Sequence, residues 1–578
     1  ERLYFASHRV WKSENRGDSW EPISGDLTRD EERLDLPIMG RRHGWDNAWD
    51  VKAMSNYNTI TSVSESPVRE GVIYAGTDDG IIQVTTNGGE SWKKIPVTRL
   101  GLPARTFVND IKADNFDENT VYVSLDNHKE GDFNPYLFKS TDLGDTWTSI
   151  SSNLPKRNLV WRLVQDHVAK DLMFCATETA IYVTLDGGKK WNKVPGAPTI
   201  SFRDITIQKR ENDLVAASFG RGFYVLDDYS SLREMTSENL AKEGALFNTR
   251  DALWYIPKST IGNTGADYYF ADNPEFGAVF TYHLSKSYPS MKGSRVKKEK
   301  EMIKKGQQIP KIDWDDLEKE SREEGTKLYI VIKDLEGNII NKINAPKSKG
   351  LNRVAWNLRH SSSSAINPDR ISSGRGGGRG WYNSGQLASP GQYTATLTKE
   401  EQGSSSDIDD PIEFNVVDLQ RGTLPGMGYA EYSNHAENVI QLQNRQAQFS
   451  DRLNENMNMV KAMRLSLSRS NSTNNELSSR LFVIEETLNQ MSKKVYGNSA
   501  KSEVGVKNDP TVSSYIGNAY RGLSSTYGPT GQHKQSLSIA NSMLNKLDVE
   551  LNTIISEMPN LKVELDNMNS PIIIGGNN

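Results

Sequence analysis

The segment Ser140-Thr-Asp142-Leu-Gly144-Asp-Thr146-Trp147 decides the fold of the first part of this chain. Its pattern, S/T-x-D/N-x-G-x-S/T-W, occurs three more times, with Lys190 as the one departure, at residues 13–20, 85–92 and 184–191. Four copies so close together indicate an internal repeat, and a repeat sets the architecture before any single element does.

Each copy predicts a tight turn held by its own side chains. An Asp or Asn side chain accepts backbone N–H groups across such a turn, and Gly supplies a positive φ. The Trp then folds back and covers apolar surface beside the turn. The residues predicted to have this structural role are Asn15, Trp20, Asn87, Trp92, Asp142, Trp147, Asp186 and Trp191. We therefore favour structural turns over catalytic carboxylates at these positions.

Short apolar segments surround each turn. Two of them precede it, as at residues 72–77 and 80–85, and an earlier strand also recurs. With a short segment after the Trp, each repeat has four strands, which is typical of a β-propeller blade. The sequence predicts about five blades over residues 1–228. The first lacks its opening strand and five blades rarely close a ring, so further N-terminal blades are expected to be missing.

The rest of the chain predicts two more domains after a connector at residues 229–265. Short alternating strands over residues 266–418 indicate a β-sandwich with insertions at 288–326 and 361–386. The first insertion is charge-dense and predicted to be partly helical. The second contains an Arg-Gly run that could suggest RNA or phosphate binding, but it lacks the lysine and serine of a phosphate loop, so a flexible loop is favoured.

Helical periodicity begins near residue 429. Leu477, Leu481, Ile484 and Leu488 recur at steps of four and three, and similar stripes follow further along. Narrow apolar stripes on polar helices predict an antiparallel bundle over residues 429–565, with a tail at 566–578 that is unpacked or docks on a partner. The predicted fold class is mainly β and multidomain: propeller blades, then a sandwich, then a helical bundle.

Composition excludes several classes of function. The net charge is −5, from 69 basic and 74 acidic residues, which argues against a nucleic-acid binder. The sequence has no apolar run long enough for a membrane-spanning helix. One cysteine, Cys175, and eight scattered histidines give no metal-ligand spacing. We expect no metal, no cofactor and no nucleic acid.

The repeated motifs resemble the Asp-box (BNR) propellers of sialidases, xyloglucanases and sortilin. The run Asn134-Pro-Tyr-Leu-Phe-Lys-Ser-Thr-Asp-Leu-Gly-Asp-Thr-Trp147, with Ala176-Thr-Glu-Thr-Ala180 and Gly220-Arg-Gly-Phe-Tyr-Val-Leu-Asp-Asp228, resembles more specifically the C-terminal part of large exported bacterial proteins. That family is described as sortilin-like or as BNR-repeat glycosyl hydrolases. The resemblance implies an exported bacterial protein of the periplasm, the outer-membrane surface or the medium.

A second resemblance concerns the sandwich. Leu351-Asn-Arg-Val-Ala-Trp356 and Pro390-Gly-Gln-Tyr393 resemble the Ig-like domain of flagellar hook-capping proteins. This resemblance implies an Ig-like fold for residues 266–418, a module typical of interaction proteins.

Candidate ligand-binding residues follow from the topology of a blade. Antiparallel strands put successive turns at opposite ends, so loops between second and third strands lie opposite the motif turns. Loops from a fourth strand to the next first strand emerge on the same face, and the longest of them is Asp26 to Trp49. Propellers usually bind ligands there, and charged and aromatic side chains grip sugars, carboxylates or peptide ends. The residues expected on this face are Arg41, Arg42, His43, Trp45, Asp79 and Arg221.

Catalysis is less clearly indicated. A glycosidase needs two carboxylates flanking a bond, one with a raised pKa. Asp46, Asp78 and Glu178 are the candidates, but no sequence partner marks any of them. Adjacent acids such as those in Thr77-Asp-Asp-Gly80 are equally explained as turn formers.

Two functions therefore compete. We favour a binding or assembly protein of the cell envelope, whose partner is another envelope protein or a peptide, or a glycan. The alternative is a glycoside hydrolase, or a glycan-binding protein, that uses the loop face of the propeller. Whether the chain is an enzyme stays open at this point, and binding is preferred because fold alone supplies no activity.

Overall fold

The computed structural model describes residues 2–37, 40–44, 46, 57–257, 269, 271–366, 385–419, 426–525 and 527–574. The chain divides into two compact units, Glu1–Asn239 and Leu240–Asn578. Unit 1 is built from antiparallel sheets of three or four strands, and unit 2 contains a three-stranded and a six-stranded sheet followed by long helices. The chain is thus mainly β with a helical C-terminal region.

Unit 1 contains five sheets in chain order, which we call blades 1 to 5. Blade 1 has strands β1 (Leu3–Ala6), β2 (Val10–Ser13) and β3 (Glu21–Pro22). Blade 2 has β4 (Ile60–Glu65), β5 (Ile73–Thr77), β6 (Ile81–Thr85) and β7 (Lys93–Pro96). Blade 3 has β8 (Phe107–Ala113), β9 (Val121–Asn127), β10 (Asp132–Ser140) and β11 (Thr148–Ser149). Blade 4 has β12 (Val160–Gln165), β13 (Met173–Thr177), β14 (Ile181–Thr184) and β15 (Asn192–Lys193), and blade 5 has β16 (Phe202–Gln208), β17 (Asp213–Ser218) and β18 (Phe223–Leu226).

Each blade packs on the next through an apolar core, as the blades of a β-propeller do. Strands β5 and β6 are buried along their whole length because blade 2 is covered on both faces. Tyr122 of blade 3 and Trp191 of blade 4 share one such core, and Phe174 of blade 4 and Phe202 of blade 5 share the next. Burial on both faces explains why these strands are continuous apolar runs in the sequence rather than alternating ones.

The four motif copies form the same turn, which we call the box turn. In blade 4, Thr184 Oγ1 donates to Asp186 Oδ1 (2.7 Å), and the Gly188 N–H donates to Thr184 Oγ1 (3.0 Å). The Lys190 N–H then donates to Asp186 Oδ1 (2.9 Å). Equivalent bonds are present in the other three turns, centred on Asn15, Asn87 and Asp142. Lys190 departs from the motif but still bonds to Asp186, because the donor is its backbone N–H and not its side chain.

Three of the box turns also pack closely against the preceding blade. Gly188 lies so close to Ile150 of blade 3 that an added Cβ would meet the Ile150 Cβ at 2.8 Å. The indole N–H of Trp191 donates to the Ile150 carbonyl (2.7 Å). Gly89 packs in the same way on Ile23, and Gly144 on Ile95. The glycine is therefore required for a positive φ and for close approach of the next blade.

Unit 2 begins with two sheets that share a core. The smaller sheet has the order β19 (Gly244–Leu246), β21 (Ala278–Leu284) and β24 (Gly350–Trp356). The larger has the order β20 (Ala252–Trp254), β27 (Ile412–Asp418), β25 (Gly391–Glu401), β22 (Lys327–Lys333) and β23 (Ile339–Asn344), and β26 (Ser404–Asp407) pairs with β25. Phe280, Trp356 and Phe414 lie in the core between the sheets. The Ig-like classification of this part stays a prediction.

The observed boundary of this part differs from the predicted one. Residues 229–265 were expected to be a connector, yet strands β19 and β20 fall inside that range and pair with β21 and β27. Their apolar segments are three residues long, too short to show periodicity in the sequence. At the start of the predicted sandwich, residues 266–268 and 270 lie outside the described residues, as does most of the Arg-Gly insertion. The charged insertion 288–326 contains α2 (Met291–Lys304) and α3 (Trp314–Arg322).

The helical part follows the predicted stripes. Its long helices are α4 (Tyr429–Ser468), α5 (Asn475–Tyr496) and α8 (Gly531–Asp566), with the shorter α6 (Ser499–Glu503) and α7 (Val512–Arg521) between them. A further short helix, α1 (Ser237–Ala241), spans the boundary of the two units. Leu481, Leu488, Leu544 and Leu551 belong to one core. In the tail, Ile573 packs against this core while Ile572 and Ile574 are exposed.

Within the described residues, no helix is long and apolar enough to cross a membrane. The same residues contain no cluster of three or more His, Cys, Asp or Glu suited to a metal ion. Cys175 is buried between blades 3 and 4, and burial raises the pKa of its thiol. A buried, protonated thiol is unreactive.

Candidate functional site

We call the loops between the second and third strands of the blades the loop face. They comprise residues 7–9, 78–80, 128–131, 178–180 and 219–222. From blade 3 to blade 5, the loop residues His128, Glu178 and Phe219 are linked through contacts with Trp161 and Arg203 of the first strands.

Asp78 and Asp79 of blade 2 are both buried and both bonded. The Thr59 N–H donates to Asp78 Oδ1 (2.8 Å), and the Arg29 N–H donates to Asp79 Oδ2 (2.7 Å). The pKa of Asp78 is raised to about 6, chiefly by burial and also by the neighbouring Asp79 charge, against the opposing effects of the Thr59 bond and Lys129. The paired acids close the blade 2 loop onto the segment before blade 2.

A second group lies beside these acids and was not predicted from the sequence. Arg105 binds Glu31 through two hydrogen bonds of 2.9 and 3.1 Å. The hydroxyl of Tyr57 is buried, and burial followed by the charges of Asp79 and Glu31 raises its pKa. These residues come from long loops without repeat periodicity, so the sequence carried no signal that would bring them together.

Glu178 of blade 4 is a structural acceptor. Its Oε2 accepts the indole N–H of Trp161 (2.9 Å) and the hydroxyl of Ser201 (2.9 Å). Trp161 also makes an edge contact with His128 of blade 3, whose imidazole pairs with the buried Asp126. Glu178 thus fixes a tryptophan at the junction of three blades.

A cation–aromatic cluster continues this junction into blade 5. The guanidinium of Arg203 lies 3.6 Å from the centre of the Trp161 ring and 5.3 Å from that of Phe219. Phe219 is 72% exposed. A guanidinium stacked on an aromatic ring is already held in place. It can therefore bind a ligand through its N–H groups with little further loss of side-chain entropy.

The sequence did contain a signal for Trp161 and Arg203. They occupy the second position of the recurring first strand, where blades 2 and 3 have Thr61 and Asn109. Thr61 Oγ1 donates to the Val108 carbonyl (2.6 Å) and Asn109 Nδ2 to the Val160 carbonyl (3.0 Å), so this position reaches the next blade. At this position, blades 2 and 3 have small polar residues, whereas blades 4 and 5 have Trp161 and Arg203. The change to large side chains coincides with the cation–aromatic cluster.

The remaining predicted residues are dispersed. Arg42 bonds to Asp35, within its own segment, at 3.1 Å to the carbonyl and 3.3 Å to the carboxylate. Arg41 and Asp46 are exposed, His43 is half-buried, and Trp45 lies outside the described residues. The Arg221 N–H donates to Ser218 Oγ (3.1 Å) and its side chain is exposed beside Phe219.

The chemistry available on the loop face is that of contact rather than of proton transfer. Asp79 and Glu178 are engaged by protein donors, and Asp78 is buried against Thr59. Asp78 and Glu178 belong to separate groups on blades 2 and 4, and neither is placed as the partner of the other. The exposed groups include Phe219, Arg221 and Arg203 at blade 5, and His8, Arg9, Lys129 and Glu130 on the loops of blades 1 and 3.

Comparisons with known proteins give no family assignment. No family model matches the chain, and no curated protein matches it at the significance required. Many solved structures match parts of it. The GH74 enzyme of Niastella koreensis is 15% identical, with 38% of this chain and 33% of that chain covered and a TM-score of 0.28.

Two further structures have comparable values. The GH74 xyloglucanase of Xanthomonas campestris is 13% identical over 36% of this chain and 30% of that chain, with a TM-score of 0.26. YCF48 bound to D1 peptide is 18% identical over 33% of this chain and 58% of that chain, with a TM-score of 0.23. The matches span about a third of each GH74 enzyme. At such TM-scores these likenesses carry no conclusion about this chain.

Proposed function

We propose that this chain is a protein- or peptide-binding component of an assembly, and that it binds through the outer surface of blade 5 and the adjoining loop face. The observation that carries the proposal is the exposure of large apolar side chains on blade 5. Phe219 and Phe223 are 72% and 77% exposed, and Val225 lies beside them on the same strand as Phe223. Exposed apolar patches of this kind are typical of protein interfaces.

Side chains along β18 alternate between the two faces of the sheet, which explains why Phe223 and Val225 are exposed. Tyr224 and Leu226 pack into the core shared with blade 4, so Phe223 and Val225 point to the opposite face of the sheet. The equivalent strand β14 of blade 4 is largely buried on both faces because blade 5 covers it. Blade 5 thus presents a face that every interior blade buries.

Blade 1 also has an apolar outer face among the described residues. Tyr4 and Ala6 pack towards blade 2, while Leu3 and Phe5 lie on the outer face with Trp20. The rings of Phe5 and Trp20 make an edge contact at 6.1 Å. In blades 2 and 4 the equivalent Trp bonds to an isoleucine carbonyl of the preceding blade. The outer face of blade 1 is thus the kind of surface that receives the isoleucine of a neighbouring blade in blades 2 and 4.

Site-specific photo-crosslinking tests this proposal. A photoreactive phenylalanine analogue at Phe223 should cross-link one partner polypeptide in cells, whereas the same analogue at Val168, 58% exposed on blade 4, should not. The two positions are matched in exposure and lie in the same unit. Identical cross-linked species from both positions, or none from Phe223, would refute the binding role of blade 5.

The cellular location and family of the chain belong to the same proposal. The resemblance to sortilin-like, BNR-repeat propellers and to Ig-like modules favours an exported protein of the bacterial envelope, with an envelope protein or peptide as partner. Arg41, Arg42, His43, Trp45, Asp79 and Arg221 remain proposed contact residues. Of these, Arg221 lies next to the exposed Phe219 and is the strongest candidate.

The second candidate function is glycoside hydrolysis or glycan binding, and one observation favours it. The pKa of Asp78, raised to about 6 chiefly by burial, suits a general acid. The bond from Thr59 and the burial of Asp78 weigh against direct contact with a sugar. Screening a glycan panel with wild type, Asp78→Asn, Glu178→Gln and Asp46→Asn decides the question, and hydrolysis lost in the first two variants would favour the enzyme.

A further inference from the structure

Blade 5 has three strands among the described residues, whereas blades 2, 3 and 4 have four. In those three blades the short fourth strand, β7, β11 or β15, pairs with the outer edge of the third strand. The third strand of blade 5 is β18, and the structure describes no strand on its outer edge. This edge is therefore a position at which the other blades have a further strand.

The repeat shows what a fourth strand brings to this edge. In blades 1 to 4, one residue of the third strand lies opposite a branched aliphatic residue in or directly after the fourth strand, and both pack in the same core. The pairs are Val10 with Ile23, Ile82 with Ile95, Leu137 with Ile150, and Ile181 with Val194. In the first, third and fourth pairs the aliphatic residue donates its N–H to the carbonyl opposite at 2.9 Å.

Phe223 is the corresponding residue of blade 5. In blade 4, the residue before Ile181 accepts the Thr177 N–H (2.9 Å). In blade 5, the residue before Phe223 accepts the Ser218 N–H (3.0 Å), so Phe223 is the equivalent of Ile181. Ile181 is 4% exposed and Phe223 is 77% exposed. The aliphatic residue that would cover Phe223 has no counterpart among the described residues.

The backbone groups of Phe223 and Val225 point towards this edge. The bond from the Ser218 N–H to the Gly222 carbonyl makes these two residues a hydrogen-bonded pair of the antiparallel ladder between β17 and β18. Hydrogen-bonded pairs alternate with non-bonded pairs along such a ladder, and Phe223 and Val225 fall at non-bonded positions. Their N–H and C=O groups are therefore directed away from β17.

The segment after β18 is held against blade 4 and not along this edge. The Tyr229 hydroxyl donates to Asp166 Oδ1 (2.7 Å), and Arg233 donates to both oxygens of the same carboxylate (2.8 and 2.9 Å). Outward backbone groups beside an exposed phenylalanine can pair with an added strand.

We propose that a short extended segment of the partner polypeptide pairs antiparallel with β18 and completes blade 5 as its fourth strand. This inference rests on the proposed function of blade 5, and it adds the mode of binding and the chemistry of the partner. One branched aliphatic residue of the segment donates its N–H to the Phe223 carbonyl, and its side chain covers the Phe223 ring. The residues before it are polar, because their counterparts Lys94, Ser149 and Lys193 are exposed.

A synthetic peptide tests the pairing without knowledge of the natural partner. The probe is Gly89-Glu-Ser-Trp-Lys-Lys-Ile-Pro-Val-Thr98, labelled with fluorescein, because it contains the fourth strand of blade 2. Its anisotropy should show saturable binding to the full chain. The same peptide with an N-methylated isoleucine keeps the side chain but lacks the N–H, and it should bind about tenfold more weakly. Equal affinity of the two peptides, or no saturable binding of the unmodified one, would refute strand addition.

Two variants at Val225 locate the binding. Val225→Pro removes an N–H that β17 does not use, as edge positions permit, and should weaken peptide binding about tenfold or more. Val225→Ala keeps this N–H and should weaken it less than about threefold. The buried Cys175 should stay protected from thiol labelling in both variants, which shows that unit 1 is folded. Equal losses in two folded variants would indicate side-chain contact alone and refute strand addition.

Cross-linking from Phe223 separates this inference from the proposed function. Val225→Pro should also abolish the cross-link to the partner in cells. A cross-link that persists undiminished in this variant would mean that the partner binds the face of blade 5 without adding a strand, so the inference would fail and the proposed function would stand. No cross-link from Phe223 in the otherwise unchanged chain would refute the proposed function, and the inference with it.

Discussion

The box turns of blade 4 and blade 1 have the same local structure but opposite surroundings. In both, a hydroxyl and an Asp or Asn oxygen receive the same backbone N–H groups at 2.8–3.0 Å. Yet Trp191 of blade 4 is 2% exposed and Trp20 of blade 1 is 41% exposed. The difference is the preceding blade, whose Ile150 covers Trp191, whereas the described residues place no such isoleucine over Trp20.

This comparison separates the local role of the motif from its tertiary role. The turn itself needs only residues within eight positions of one another. The close packing between blades needs a neighbour, and where the neighbour is absent the same tryptophan becomes exposed apolar surface. The same motif thus gives a buried or an exposed tryptophan without any change in its own pattern.

The largest expected effect comes from truncating the two tryptophans. Trp191→Ala should lower the free energy of unfolding of unit 1 by about 3–5 kcal/mol, because it leaves a large cavity in a core. Trp20→Ala should lower it by less than about 1 kcal/mol, as expected for an exposed position. The single cysteine, Cys175, is buried in unit 1, so its rate of thiol labelling in urea reports this unit alone. Equal losses in the two variants would contradict the tertiary difference.

Substituting alanine for the glycine of each box turn, Gly188 in blade 4 and Gly17 in blade 1, tests whether the preceding blade or the turn itself requires glycine. Gly188 and Gly17 have φ of 93° and 98°, so each substitution introduces strain of about 1–2 kcal/mol. At Gly188 the new Cβ also meets Ile150 at 2.8 Å, whereas at Gly17 its contacts are 3.7 Å or longer. Overpacking adds about 1–3 kcal/mol to the Gly188→Ala loss alone. Cys175 labelling measures both variants, and a Gly17→Ala loss as large as that of Gly188→Ala would show that backbone strain dominates.

The pH dependence of Asp78 extends the comparison to the loop face. Its pKa rises from 3.8 to about 6, so the folded state binds a proton more tightly than the unfolded one. Stability should therefore fall as the pH rises from about 4 to above 6, by at most about 3 kcal/mol at about 1.4 kcal/mol per pKa unit. Asp78→Asn should remove this slope, and Asp46→Asn, at an exposed position, should keep it. Urea titrations between pH 4 and 8 provide the measurement.

The smallest effect is expected where the two blades are most alike. Asp186→Ala and Asn15→Ala each remove the acceptor of the same local bonds, and each should lower stability by about 1 kcal/mol. Similar losses would show that the turn is independent of its neighbours. A loss for Asp186→Ala several times that for Asn15→Ala would mean that the packing between blades depends on the side-chain bond as well.

Much of the fold could be predicted from the sequence because its signals are local. The repeat places strands such as β5 and β13, and the stripe at Leu481 and Leu488 places α5. The short strands β19 and β20 were missed because their pairing with β21 and β27 is a long-range event. Element boundaries in the predicted connector were uncertain for this reason.

The candidate site was less predictable. Asp78, Asp79 and Glu178 do lie on the loops expected from the topology, but their bonds to Thr59, Arg29 and Trp161 come from other segments. Those bonds turn candidate catalytic carboxylates into structural acceptors. The stacking of Arg203 on Trp161 joins two blades, and neither residue belongs to a motif.

By itself the sequence determined the box turns, the strands of each repeat and the apolar stripes of the helices, since hydrogen bonds within eight residues and side-chain periodicity need no distant partner. The tertiary structure alone decided which tryptophans are covered, which carboxylates are engaged and which strand edges are paired. Burial depends on what packs from elsewhere in the chain, so Trp20 and Trp191 share one motif and differ in exposure.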